Sequence, residues 1–230
     1  MSTQISSQAA TRSSVNLVRS SHSWTEAESA AGFVLRYLPP MRKQLVEVMG
    51  SNTEADQALK ILLTHLVSAG FGEHSKGRLR DFLAKAVRSC SKARLTELGT
   101  FDAEKDLATK VALESKGWLL KWRDCLLERA WRALERAEHN DINRPLYSIL
   151  WLSTVDPKAN LEELSAAVEK RTGIKVQPAM LQQLKLEAKA AFAQLLADEV
   201  VETLETPDKT SVKKEIQTLG IGGAFNGLNV

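Results

Sequence analysis

The sequence predicts an all-α protein, with two helical domains joined by a linker and a helix-turn-helix in the second domain. Two observations set the class. Apolar residues recur at i, i+3, i+4 and i+7 from Phe33 to Leu204, and no apolar–polar alternation reaches strand length. The breaks between these runs fall at glycine, proline and asparagine, the residues that turn a chain. A third observation, a stretch near residue 100 with no apolar face, divides the helices into two groups.

Thr25 with Glu28 three residues on is a capping-box signal, and the first helix follows through Phe33, Val34, Tyr37 and Leu38. Pro39-Pro40 is expected to kink or break it before it resumes through Met41, Leu45, Val48 and Met49. Gly50-Ser51-Asn52 is a turn, and Thr53 is the candidate cap of a helix whose apolar face is Ala55, Leu59, Leu62, Leu63 and Leu66. Gly70 to Gly77 reads as a loop, and a basic helix then runs to about Leu98. Residues 99–113 are the expected linker. A long helix at about 114–139 brings Trp118, Trp122 and Trp131 to one face, where they read as core. Helices follow at 143–153, at Leu161–Thr172 and from about Pro178 to Leu204, with turns at Asp156-Pro157 and Gly173. The last pair has the spacing of a DNA-reading helix-turn-helix and equally that of an ordinary helical hairpin. The domains therefore read as a disordered tail at 1–13, a helical domain at 14–98, the linker at 99–113, a second domain at 114–219 and a flexible end at 220–230.

Composition narrows the function classes. A chain of 230 residues with 43% apolar and 26% charged residues is ordinary globular material, and its net charge of +3 is modest. The charge is uneven, positive at 76–94 and negative at 194–205, where Asp198, Glu199, Glu202 and Glu205 have no basic neighbour in sequence. No run approaches the roughly 18 apolar residues of a membrane span. Cys90 and Cys125 are too few for a disulfide framework and read as reduced thiols in the cytoplasm, and the scattered histidines make no metal-ligand spacing. The Ser/Thr-rich first twenty residues suit an organelle transit peptide and equally a disordered tail. There is no P-loop, dinucleotide fingerprint, His-x-x-x-His pair or nucleophile elbow, so neither enzyme, metal nor cofactor is expected.

The most informative stretch is residues 73–94, EHSKGRLRDFLAKAVRSCSKAR. Lys76, Arg78, Arg80, Lys85, Arg88, Lys92 and Arg94 crowd it, while Leu79, Phe82, Leu83, Ala86 and Val87 keep the spacing of one buried helical face. A helix that packs on one side and is positive on the other is the electrostatic footprint of a phosphate binder. A merely solvated basic face is the plainer reading of charge alone.

The residue order adds to charge. G-R-L-R-D-F-L-A-K-A-V-R resembles the G-x-F/L-R-x-W/F-L-x-x-I/V-A/V-R stretch of the bacterial extracytoplasmic-function sigma factors, with Gly77, Arg80, Phe82, Leu83 and Arg88 matching. F-A-Q-L-L-A-D-E-V-V-E-T-L, Phe192 to Leu204, resembles the Y-R-E-L-L-R-x-E-I-A-x-T-V run after the promoter-reading helix in one branch of that family. S-V-N-L-V-R (Ser14–Arg19) resembles the lead-in to the first helix there, and the likeness extends over about Ser14 to Leu219.

The resemblance implies a transcription initiation protein that binds core RNA polymerase and promoter DNA. It implies DNA contacts by Arg78, Arg80, Lys85, Arg88, Lys92 and Arg94 in the first domain and by Gln182, Lys185 and Lys189 in the second. Polymerase contacts would come from Glu54, Asp56, Lys60 and Leu63. Two departures stand against it. The family's D-A-E-D-L-x-Q-E-V-F is E-A-D-Q-A-L-K-I-L-L here, with Gln57, Lys60 and Ile61 replacing an acid, a glutamine and an acid. The family's H-R-x-R-R/K-R before the aromatic is L-E-A-K-A-A here, so Glu187, Ala190 and Ala191 stand where bases would neutralise phosphates, and weak duplex binding by the second domain is expected. The competing reading is a protein-interaction module of sigma-like fold, lacking promoter recognition, that acts with a regulatory partner.

Overall fold

The computed structural model describes residues 14–19, 23–71, 76–99, 107 and 110–230. Several of its helices start at a side chain that accepts the free N–H groups of a first turn. The Ser29 hydroxyl accepts from Gly32 N–H and opens α1 (Ala30–Leu35). Ser51 accepts from Glu54 N–H and opens α3 (Asn52–Ala69), and Ser23, not Thr25, accepts in the short 3₁₀ turn Trp24–Glu26. Thr25 and Thr53 are thus inside their elements and not caps. The expected break falls just before Pro39-Pro40: α1 ends at Leu35 and a new helix starts at Leu38. The two prolines occupy the first turn of α2 (Leu38–Met49), where a missing N–H costs nothing.

Further along come α4 (Leu79–Glu97), α5 (Lys116–Asn140), α6 (Leu146–Val155), α7 (Leu161–Thr172), α8 (Pro178–Val201) and α9 (Lys209–Thr218). Capping boxes open α7 (Asn160 with Glu163) and α9 (Asp208 with Ser211). Gly173 ends α7 at φ 74°, a left-handed conformation that a side chain would disfavour. The protein is all-α. Among the described residues there is no strand, only isolated bridges between Ser14 and Asn229 and between Arg78 and Leu204.

The helices gather into two compact units. The first, called here the N-terminal unit, comprises Val200–Leu219 and the described residues of Ser20–Leu126. In it α2, α3 and α4 pack on one another, and α1 packs on α3. Val34, Tyr37, Met41, Leu45, Ala55, Leu83, Val87, Trp118 and Trp122 are wholly buried there. Tyr37 stacks on Trp122 at 5.0 Å, and Trp24 lies edge-on to Phe71 at 5.0 Å. Residues 200–219 belong to this unit through backbone bonds: Leu79 N–H donates to Thr203 O (2.8 Å) and Glu205 N–H to Gly77 O (3.0 Å).

The C-terminal unit comprises Leu127–Glu199, Gly220–Val230 and the described residues of Met1–Arg19. Ile149, Leu164, Val168, Val176 and Leu181 form a buried cluster that Leu152, Leu161, Ile174 and Leu184 extend. Trp131 packs against Tyr147, Trp151 and Phe192.

Three boundary expectations change. The division falls between Leu126 and Leu127, inside α5, and not at 99–113. Leu107 and Val111 of that stretch are buried, and Gln44 Nε2 donates to Lys110 O, so these residues are part of the N-terminal unit. Residues 220–230 are no flexible end: Ile221, Phe225 and Leu228 are buried and Val15 N–H donates to Asn229 O (2.8 Å). Apolar residues every three or four positions give that segment a face to bury. The expected tail at 1–13 lies outside the described residues.

Candidate nucleic-acid interface

α4 begins at Leu79 with no side-chain cap on Arg78, and its periodicity sorts its residues into two faces. Leu79, Leu83, Ala84, Val87 and Cys90 point into the N-terminal unit. Lys85, Arg88 and Lys92 point outward and are exposed. Lys85 and Arg88 make no side-chain hydrogen bond or ion pair among the described residues, so their charge is available to a ligand.

The other three expected DNA contacts on this helix are engaged. Arg80 is wholly buried. Its Nε donates to Glu215 at 2.5 Å, and Nη1 donates to Asp81 (3.0 Å) and to Leu113 O (3.3 Å). A guanidinium enclosed in this way cannot reach a phosphate, and its assignment to DNA is withdrawn. Arg78 is half-buried and pairs with Asp81 (2.7 Å), Glu114 (3.0 Å) and Glu215 (3.4 Å). Burial works against its charge, but the carboxylates around it raise its pKa above the ordinary guanidinium value. Arg94 pairs with Glu54 (2.6 Å) and Glu97 (2.7 Å), hydrogen bonds that raise its pKa. Helical spacing locates these arginines at α4, but it carries no sign of the distant acids, up to 137 positions away, that help to neutralise them.

Beside the basic stripe, α3 and α4 enclose a cleft of about 660 Å³. Leu62, Leu66, Phe82 and Cys90 give it an apolar lining, and His65, Lys76 and Lys85 supply its polar edge. No carboxylate lines it among the described residues. Phe82 is half-buried where the sequence predicts burial, and it is held by Trp24 (5.3 Å) and Phe71 (5.5 Å). Burial pushes the Cys90 thiol up to about 12. An apolar cleft with an aromatic wall and unpaired lysines is chemically matched to a flat, anionic group such as a nucleotide.

The expected polymerase contacts lie on α3 of the same unit. Glu54 is taken by Arg94, and Asp56 by Arg42 in a two-pronged pair (2.7 and 3.0 Å) that holds its carboxyl below the usual range. Lys60 is exposed and Leu63 half-buried, with Leu59, Leu63 and Val67 at i, i+4, i+8 along a shallow groove. Val67 is 76% exposed. This face offers a partner apolar contact and one lysine in place of free acids.

In the C-terminal unit, Gln182 and Lys185 are exposed on the first turns of α8, next to exposed Lys175 and Gln177. Lys189 is half-buried and donates to Asn226 O at 2.5 Å, so the C-terminal segment occupies its ammonium. Glu187 does not face solvent. It is 9% exposed and accepts from Arg144 at 2.9 Å, and Ala190 is 5% exposed. The charge deficit expected from Glu187 and Ala190 therefore concerns a packed face and not a groove-facing one. Of the acids of 194–205, Asp198 pairs with Arg19, Glu199 with Arg129 (2.5 Å) and Glu202 with Arg36 (2.6 Å), while Glu205 is exposed and accepts from Gly77 N–H.

Among the described residues no cluster of three or more His, Cys, Asp or Glu could hold a metal ion, and no helix is long and apolar enough to cross a membrane. The chain matches no family model, no curated protein and no solved structure.

Proposed function

We propose that this chain is a divergent sigma-factor-like protein of transcription initiation, acting in the cytoplasm, that binds core RNA polymerase and promoter DNA. The observation that carries the reading is the outward pair Lys85 and Arg88, unpaired among the described residues, beside the carboxylate-free cleft against Phe82. Lys85 and Lys76 would hold phosphates while the apolar cleft receives an unstacked base. Leu59, Leu63, Val67 and Lys60 on α3 would meet the polymerase. In the C-terminal unit, Gln182 and Lys185 at the start of α8 would meet duplex DNA, an amide and a cation being suited to base edges and phosphates respectively. The spacing of α7 and α8 agrees with that use.

The neutralisation of Arg78, Arg80 and Arg94 favours a second reading, a sigma-like interaction module without promoter recognition. Capture of bacterial core RNA polymerase by the purified chain, followed by binding of labelled forked DNA to the captured complex, separates the two. Polymerase capture with forked-DNA binding supports initiation. Polymerase capture without it supports the module, and failure to capture polymerase removes both.

A further inference from the structure

We propose that α9 (Lys209–Thr218) is a second phosphate-contacting element for DNA, in the same compact unit as α4; this rests on the DNA-binding reading above. The helix is amphipathic with an unusual division of charge. Val212, Glu215 and Ile216 are buried, while Lys209, Lys213 and Lys214 are exposed. None of the three ammonium groups makes a hydrogen bond or ion pair among the described residues. A solvated helical face ordinarily interleaves acids with its lysines at i+3 or i+4. Of the nearby acids, Glu215 is buried against Arg80, while Glu205 and Asp208 are exposed and accept from the Gly77 and Ser211 N–H groups.

Lys209 also stands in the first turn of the helix, where the macrodipole already presents positive charge and a lysine is unfavourable. The three exposed lysines outnumber the two exposed carboxylates Glu205 and Asp208, and an anion relieves the positive excess. The segment leading into α9 is tied to the start of α4 by the Leu79–Thr203 and Glu205–Gly77 backbone bonds, and α9 itself by the Arg80–Glu215 pair. The helix that carries Lys85 and Arg88 and the helix that carries Lys209, Lys213 and Lys214 therefore share one frame. Lysines act as point charges without directional readout, so the element contributes affinity without sequence preference.

The test uses the full chain on a labelled forked duplex over 50 to 300 mM salt. It compares wild type, Lys209→Ala/Lys213→Ala/Lys214→Ala, Lys85→Glu/Arg88→Glu, and a charge-matched control, Lys43→Ala/Lys110→Ala/Lys116→Ala. The α9 variant is expected to melt like wild type and to lose about two to three units of salt slope, equally on a scrambled sequence. Three outcomes count against the proposal. Unchanged affinity and slope in the α9 variant, with loss in Lys85→Glu/Arg88→Glu, overturns it and leaves the DNA reading standing. An equal loss in the control shows a diffuse charge effect and overturns it too. Absence of salt-dependent binding by wild type removes the DNA reading and the proposal with it.

Discussion

Arg80 and Glu215, 135 positions apart, form an ion pair of 2.5 Å with side chains 1% and 2% exposed. The arginine that carries much of the sequence resemblance is therefore a structural residue in this protein. Removing Glu215 takes the carboxylate from the buried Arg80 Nε and leaves only Asp81, Glu114 and Leu113 O around the guanidinium, so Glu215→Ala is expected to cost about 3 kcal/mol in urea unfolding. Arg80→Met with Glu215→Leu is expected to recover most of that loss. A cost below about 1 kcal/mol for Glu215→Ala would show that water reaches the pair.

Glu187→Arg with Ala190→Arg would place bases on α8 where the sigma-factor pattern has them. Because Glu187 holds Arg144 and Ala190 is packed, the expected outcome is a lower melting temperature without tighter DNA binding. Gln182→Arg, at an exposed position, is expected to tighten duplex binding and steepen its salt dependence without loss of stability. Calorimetry and a salt titration of both variants check this. Tighter binding by the folded Glu187→Arg/Ala190→Arg chain would contradict it.

The cap of α9 gives a pH signature. Hydrogen bonds from the Ser211 backbone first, and then from its side chain, hold Asp208 below the usual carboxylate range. A depressed folded pKa means that its stabilisation is present above the unfolded value of about 3.9 and is lost as pH falls through the folded value. The melting-temperature gap between wild type and Asp208→Ala should stay constant from pH 7 to about 5 and close below about pH 4. A gap that persists at pH 2.5 would mean that the carboxylate is not the cap.

Burial pushes the Cys90 thiol up to about 12, so it stays protonated in the native state where an unfolded cysteine ionises near about 8.5. The stability this group contributes is present below about pH 8.5 and declines as pH rises toward 12. At pH 8 a thiol reagent should label the native chain slowly at Cys90 and quickly once urea unfolds it. Rapid native labelling at Cys90, read by peptide mapping, would contradict the burial.

The helices were legible because a helix writes its buried face at a fixed period: α7 runs over Leu161–Thr172 as the spacing predicts, and Trp118 and Trp122 are core. The ends were less legible. Ser23, Ser29 and Ser51 displaced Thr25 and Thr53 as caps, because several neighbouring hydroxyls can accept the same N–H groups. The candidate site was half legible. Period and charge pick out Lys85 and Arg88, but whether an arginine meets solvent or a carboxylate depends on long-range packing, as Arg80–Glu215, Arg94–Glu54 and Arg144–Glu187 show. The membership of Val200–Leu219 in the N-terminal unit depends on bonds between residues about 125 positions apart, which no local pattern encodes.

On the proposed reading the outward face of α4 meets DNA phosphates, and binding of the full chain to a labelled forked duplex across a salt series is the deciding measurement. Lys85→Glu/Arg88→Glu should weaken binding at least about tenfold at low salt and lower the salt slope by about two units, with the melting temperature unchanged. Equal affinity and equal slope for wild type and variant would mean that Lys85 and Arg88 are a solvated face and nothing more.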